Sequence, residues 1–298
     1  MGDVAGLFPY DALADAVAEV LRARRAGRAI APERLAMPVP GGVLLCMPAA
    51  DEALAVVKTI TVHPGNGERG LPVIQGEVTV MEAATGRRLG VLDGPTVTAR
   101  RTAAVSLLAA RLLAPAPAGP LLVIGAGVQA RAHVEAFRQG LGVREIWLAS
   151  RTRDRAEGLA RDLAGRGVAV RVAADPAAMA QAAATAGLIV TATTSREPVL
   201  PDAVRGDVFV SAVGSFTPEA AEIPAALVRR AALFVDDRAS ARVEAGDFLR
   251  AGVDWDTVTD LTDVLDKPPR PSGPVVFKTV GHALFDLAAA RQAFAGRF

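Results

Sequence analysis

Between Pro120 and Arg131 the chain reads Leu121-Leu-Val-Ile-Gly-Ala-Gly-Val-Gln-Ala130, and that run leaves few folds open. Four apolar residues in a row, two of them β-branched, suit a strand buried on both faces, where polar and apolar positions need not alternate. Gly125 and Gly127 follow at once, and helical spacing begins by Gln129 and lasts to Phe137. In a strand–turn–helix of this kind the first Gly permits the tight turn and the second lets backbone approach a pyrophosphate. A small residue at the third position, here Ala130, lets helix and strand pack. The helix N-terminus offers unpaired N–H groups to phosphate. The run therefore predicts a Rossmann-type unit with Gly125, Gly127 and Ala130 at a dinucleotide.

The rest of the chain agrees with that expectation. After the proline-rich connector Pro115–Pro120, short apolar runs at 121–124, 145–149, 169–172, 188–191, 208–213 and 233–235 read as strands. Helical stretches separate them at 129–137, 153–164, 176–184, 218–232 and 239–251. Strands alternating with helices imply an α/β fold, a doubly wound parallel sheet covered on both faces. Ahead of the connector the pattern differs. A helix is predicted over 9–27, with Leu13, Ala16, Val17, Val20 and Leu21 on one face. Apolar runs at 43–47, 54–60, 73–81 and 89–92 then follow, separated by Gly-rich turns, and a second helix covers 96–113. Such runs suit an antiparallel sheet, hence an α+β domain. The final segment, Val275 to Ala290, reads as strand, Gly, helix, and fits either domain. We expect a first domain of residues 1–114 with 276–298 and a Rossmann domain of residues 115–275.

Composition narrows the partners. Lys and Arg number 33 against 32 Asp and Glu, a formal charge of +1, which lacks the basic surplus expected of a nucleic-acid or membrane binder. No uninterrupted apolar stretch reaches the roughly 18 residues needed to span a bilayer, and the N-terminus lacks a basic segment leading into an apolar one. A cytoplasmic globular protein is expected. Cys46 is the single cysteine, so no intrachain disulfide or cysteine cluster can form, and core packing is its expected role. His63, His133 and His282 have no metal-ligand spacing, so no metal is expected. His133 is placed on the solvent side of the dinucleotide helix, and His63 in a structural turn. Asp236-Asp237 read as a local helix cap.

The end of the second Rossmann strand bears on coenzyme choice. A unit that prefers NAD usually places Asp or Glu there, bonded to the ribose hydroxyls. This chain has Ala149-Ser-Arg-Thr-Arg153. Ser150, Arg151 and Thr152 can bond a 2′-phosphate, and the Arg151 guanidinium can neutralise it. NADPH is the expected coenzyme, with NADH as the alternative.

Five stretches taken together resemble the ornithine cyclodeaminase/μ-crystallin family. They are Lys58-Thr-Ile-Thr-Val-His-Pro-Gly-Asn66, Thr98-Ala-Arg-Arg-Thr-Ala-Ala104, Gly125-Ala-Gly-Val-Gln-Ala130, Ala212-Val-Gly-Ser-Phe216 and Phe277-Lys-Thr-Val-Gly281. Pro32-Glu-Arg-Leu35, Met47-Pro-Ala-Ala50 and Leu92-Asp-Gly-Pro-Thr96 bring the resemblance closer to its bacterial Δ1-pyrroline-2-carboxylate/Δ1-piperideine-2-carboxylate reductases. The resemblance implies a homodimer built on the first domain. It places Arg34, Lys58 and Arg101 at the substrate carboxylate, Gln129 and Ala130 in the cofactor loop, and Thr191 and Thr193 towards the adenosine side. Val213, Gly214 and Ser215 fall near the nicotinamide, with Thr279 and Val280 touching cofactor and substrate. Arg100 and Arg101 point about 100° apart on a helix, so one faces the site, and Arg101 is the choice.

Phe216 departs from the cyclodeaminases, which carry an Asp there to handle the substrate amine. Phe can neither ionise nor bond an ammonium. That moves the expectation from ammonia release towards reduction of an already cyclic imine, with Glu219 or Glu222 as a relocated acid the alternative. Lys58 is expected to serve either as a third cation or as the proton donor to the imine nitrogen, its pKa lowered by the neighbouring arginines. Ornithine cyclodeaminase, alanine dehydrogenase and a non-catalytic NADPH-binding protein of the μ-crystallin kind are the other readings.

Overall fold

The computed structural model describes residues 4–296. Contacts divide the chain into two compact units, residues up to Val105 with those from Gly281 onward, and Ser106–Val280. The first division falls inside a helix, ahead of the proline-rich connector, because that helix runs unbroken from one unit into the other.

In the first unit, helix α1 (Tyr10–Arg25) precedes strands β1 (Ala29–Ile30), β2 (Leu35–Val39), β3 (Gly42–Asp51), β4 (Leu54–Val62), β5 (Ile74–Glu82) and β6 (Arg88–Asp93). All pairings are antiparallel, in the order β1-β3-β4-β5-β6, with β2 also on β3. Along β4 burial alternates, so Leu54, Val56, Lys58, Ile60 and Val62 share the inner face. Lys58 thus sits mid-sheet on the buried side, not at an edge. Helix α9 (Ala283–Ala293) packs against α1, β3 and β4. Its residues Ala283 to Ala290 are all buried, as befits a helix that is apolar nearly all round.

The opposite face of the sheet carries Ile30, Leu35, Met37 and Val91, which are 66%, 58%, 48% and 47% exposed. Cys46 lies on this face, paired with Leu35 and Thr59, and is half-buried. It is therefore not a core residue: the pleat puts Leu45 and Met47 inward and Cys46 outward.

Helix α2 (Gly94–Leu113) leads to the second unit. There the chain runs β7 (Leu121–Ile124), α3 (Val128–Leu141), β8 (Ile146–Ala149), α4 (Arg153–Gly165), β9 (Arg171–Val172), α5 (Pro176–Thr185) and β10 (Leu188–Thr191). It continues through β11 (Phe209–Ala212), α6 (Ala225–Arg230), β12 (Ala232–Val235), α7 (Arg238–Glu244), α8 (Gly246–Ala251), β13 (Thr259–Asp260) and β14 (Val275–Lys278). All eight strands are parallel, in the order β13-β12-β14-β11-β10-β7-β8-β9. This is the doubly wound sheet expected, and β7, with β8 on one side and β10 on the other, marks the switch point where such sheets bind ligands. The final strand inserts between β11 and β12, while α9 belongs to the first unit, so the closing segment serves both.

Two helices were expected to be longer. Residues 218–224 are irregular, and α6 begins only at Ala225. There the Glu222 N–H donates to Asp247, and its carbonyl accepts from Val199 and Leu200. Those distant partners take the backbone groups a helix would need. The helix read at 239–251 breaks at Ala245, because Gly246 lies against the Thr217 and Ala220 carbonyls, with a Cβ there 2.5 and 2.1 Å from them.

Candidate active site

In the first unit three cationic side chains converge. Lys58 Nζ lies 3.1 Å from Asp286 Oδ1 and 2.8 Å from Oδ2, and both residues are fully buried. Arg101 Nε is 3.4 Å from the same Oδ1. Arg34, half-buried just before β2, donates from Nη2 to the Gly281 carbonyl at 2.9 Å. Gly281 has φ +84°, and a Cβ there would meet Arg101 Nη1 at 2.8 Å, so only glycine leaves the guanidinium its place. Arg100 stacks on the Tyr10 ring instead, its Cζ 4.4 Å from the centroid. Of the two neighbouring arginines, Arg101 lies beside Asp286 and Arg100 over Tyr10.

Three cationic side chains gathered in one place make an environment suited to an anion. Burial, more than like charge, lowers Lys58 from 10.5 to about 8; Asp286 opposes the fall, while Arg101 and Arg34 add to it. The arginines thus play a smaller part than the sequence suggested. Asp286 was not foreseen. Its one sequence signal was an acid inside the apolar run Ala283–Ala290.

In the second unit Gly125 has φ +134°, and a Cβ would sit 2.4 Å from the Ala192 carbonyl oxygen. Gly127 caps α3 with no side-chain bond, and a Cβ added there would meet nothing within 4 Å. An open cradle over uncapped N–H groups fits a dinucleotide pyrophosphate. Ala130 is fully buried and Gln129 half-buried in the first turn of α3. Beyond β8, Ser150 is half-buried, and Arg151 and Thr152 are exposed. No carboxylate stands at that position.

Past β10 and β11, Thr191 and Thr193 meet a residue the sequence reading had weighed only as an alternative acid. Thr191 Oγ1 donates to Glu222 Oε2 at 3.1 Å; Thr193 N and Oγ1 donate to Oε1, each at 2.7 Å. Gly214 N donates to Oε2 at 2.7 Å. Thr191 is fully buried, so its hydroxyl points inward. Ser215 Oγ donates to Asp247 Oδ2 at 2.9 Å, and Lys278 Nζ reaches Ser215 O, Ser215 Oγ and Asp247 Oδ2 at 2.6, 2.8 and 2.9 Å. Burial holds Glu222 above the usual carboxylate range. Burial also pushes Asp247 up, but Lys278 and the backbone N–H groups outweigh it and leave Asp247 below that range.

Asp236 is no helix cap. It accepts from Thr279 Oγ1 at 2.5 Å and from Val280 N at 3.2 Å, bracing both residues, while Asp237 caps α7 through Ser240 N at 2.7 Å. Phe216 packs half-buried against the apolar core of this unit, with Glu219 exposed and Glu222 committed to four donors.

His133 is fully buried rather than solvated, since α3 turns that side inward. Nδ1 donates to Gln129 O at 2.8 Å, which fixes the tautomer. Nε2 then accepts from Ser106 Oγ at 2.9 Å, and Ser106 accepts from Ser211 Oγ at 2.9 Å. Burial lowers this imidazole to about 4, so it stays neutral. His282 caps α9, accepting from Leu284 N.

The family model for the ornithine cyclodeaminase/mu-crystallin family matches residues 1–295. A Δ1-pyrroline-2-carboxylate/Δ1-piperideine-2-carboxylate reductase of Azospirillum brasilense is 44% identical over 293 residues, covering 98% of this chain and 93% of that protein. Among solved structures, Thermococcus litoralis Δ1-pyrroline-2-carboxylate reductase, in complex with NADH and L-proline, is similar with a TM-score of 0.90. It is 26% identical, over 97% of this chain and 93% of its own. An archaeal alanine dehydrogenase dimer with bound NAD gives 0.88 at 26% identity, over 98% and 92%.

Proposed function

Because the chain belongs to the ornithine cyclodeaminase/μ-crystallin family, we propose that it is an NAD(P)H-dependent reductase of cyclic ketimine acids, taking Δ1-pyrroline-2-carboxylate to L-proline and Δ1-piperideine-2-carboxylate to L-pipecolate. The observation that carries this reading is the gathering of Arg34, Lys58 and Arg101 about Asp286 and Gly281. Arg34 and Arg101 bind the ring carboxylate and fix its orientation. Lys58 protonates the ring nitrogen, giving an iminium whose C2 accepts hydride; the lone proton consumed comes from the lysine. The bound nicotinamide supplies that hydride. Phe216 supports reduction over ammonia release, since no acid stands in its place. The A. brasilense relative, named for both ring sizes, supports the substrate pair.

In this reading the second unit is the dinucleotide domain. Gly125, Gly127, Gln129 and Ala130 hold the pyrophosphate, Ser150, Arg151 and Thr152 the adenosine ribose, and Val213, Gly214, Ser215 and Thr279 the nicotinamide side; Thr193, expected towards the adenosine side, is reassigned to the nicotinamide side because β10 lies on the opposite flank of β7 from β8. Thr191 contributes from beneath through Glu222. The first unit binds substrate with Arg34, Lys58 and Arg101, and the family resemblance implies a substrate role for Thr279 and Val280 as well. Arg151 favours NADPH. A reduced dinucleotide is an intracellular cofactor, so the cytoplasm is the compartment this reading requires. Among the described residues no helix is long and apolar enough to cross a membrane.

The test is initial rates with both cyclic imines, each with NADPH and NADH. Turnover is expected with both rings, and Arg151→Glu is expected to lower kcat/KM for NADPH about 10²-fold relative to NADH. No turnover with either imine and either coenzyme refutes the reductase, and ammonia release from ornithine or pyruvate-plus-ammonia dependence would replace it.

We also propose a homodimer through the outer face of the first unit's sheet. Ile30, Leu35, Met37 and Val91 are large apolar side chains left exposed on that face. The alanine dehydrogenase with the same fold is a dimer. Met37→Glu with Val91→Glu, one on each side of that face, is expected to halve the mass seen by sedimentation equilibrium. An unchanged mass places the interface elsewhere.

A further inference from the structure

Glu222 lies at the centre of a buried clasp that the proposed chemistry does not use. Its carboxylate takes four donors from two loops: Thr191 Oγ1, Thr193 N and Thr193 Oγ1 at the end of β10, and Gly214 N at the end of β11. The two loops touch, because a Cβ on Gly214 would sit 2.2 Å from the Thr193 carbonyl oxygen. Behind it, Asp247 Oδ1 accepts from the Glu222 N–H at 2.6 Å and from Ile223 N at 2.9 Å. Asp247 Oδ2 meets Ser215 and Lys278, whose ammonium also bonds the Ser215 carbonyl. One polar chain thus ties together the C-terminal ends of β10, β11 and β14. Those ends lie on the β10 side of the switch point, away from the β8 loop that carries Arg151.

We propose that Glu222 is a positioning residue for the nicotinamide half of the coenzyme, its carboxylate locking the loops after β10 and β11 into one shape. The proposal rests on the dinucleotide reading of this edge. Although burial raises its pKa, donors reach both oxygens, a backbone N–H on each, which is the pattern an ionised carboxylate accepts. Glutamine keeps the size but turns an NH2 group on one pair of donors, so one loop must move. The adenosine half, read at Ser150–Thr152, should not sense that movement.

The experiment titrates NADPH and 2′,5′-ADP, which lacks the nicotinamide, into the wild type, Glu222→Gln and Thr191→Val, well below each melting temperature. Glu222→Gln is expected to weaken NADPH about tenfold, as for one charged hydrogen bond lost. It should leave 2′,5′-ADP within about twofold, and the imine KM at saturating NADPH likewise. Thr191→Val removes a single donor without leaving one unpaired, and is expected to move NADPH in the same direction by about threefold. Equal weakening of both ligands, or unchanged NADPH affinity in folded Glu222→Gln, overturns the proposal. If Glu222→Gln does not fold, unchanged affinity in Thr191→Val overturns it. Failure of the wild type to bind NADPH would instead remove the dinucleotide reading itself.

Discussion

Lys58→Met is expected to lower kcat/KM for cyclic imine reduction about 10³-fold, as for loss of a general acid. The side chain is held where its proton can be given up: burial brings it to about 8, close enough to neutrality to transfer, yet protonated in most molecules at pH 7. With Lys58 as the proposed acid, wild-type kcat/KM should stay level up to that value and fall above it. Asp286→Asn removes the group that opposes the drop, and the falling limb should move to lower pH. Stability runs in the other direction. Between about 8 and 10.5 the unfolded chain holds a proton that the folded one has lost, so this group's contribution to stability rises with pH across that window. Lys58→Met also leaves Asp286 buried with Arg101 as its remaining cation in this cluster, costing about 3 kcal/mol in urea unfolding. A pH–rate profile of the wild type that is flat from 6 to about 10 would show that another group gives the proton.

Gly127→Asp should leave the fold intact and weaken NADPH by about 10²-fold or more, roughly 3 kcal/mol. No atom stands within 4 Å of a Cβ at that position, so the apoprotein should melt within about 0.5 kcal/mol of the wild type. The new carboxylate would occupy the pyrophosphate cradle and repel its charge. Gly125→Ala differs although it lies two residues away. At φ +134°, with Ala192 O 2.4 Å from the new Cβ, the damage falls on folding first. Calorimetry of the two apoproteins, followed by NADPH titration, separates the cases. Wild-type affinity in Gly127→Asp would remove the turn from coenzyme binding.

What could be read directly from residues was what is written locally. The apolar strand, the glycines and the opening of α3 occupy ten consecutive positions, and the alternation along β4 lies within nine. Lys58 was placed through family resemblance, since a lone lysine in a strand reads as an edge residue. Its partner Asp286 is 228 positions away, and nothing near either residue announces the other. Glu222 sits in a segment read as helix, and its bonds to Asp247, Val199 and Leu200, with Pro224 two residues on, hold it irregular. His133 and Cys46 were misplaced for a similar reason: which side of a helix or sheet is covered depends on elements far along the chain.

The placement of α9 has a bearing on synthesis. Helix α1 emerges early from the ribosome, yet the helix it packs against comprises residues 283–293. A nascent chain that has completed the antiparallel sheet still has Lys58 on its inner face with no carboxylate to meet it. Closure must wait for the intervening parallel sheet, a delay that contact order alone would make slow. Truncations ahead of Asp286 should therefore leave the first unit open and prone to capture by chaperones, even where the nucleotide fold has already formed.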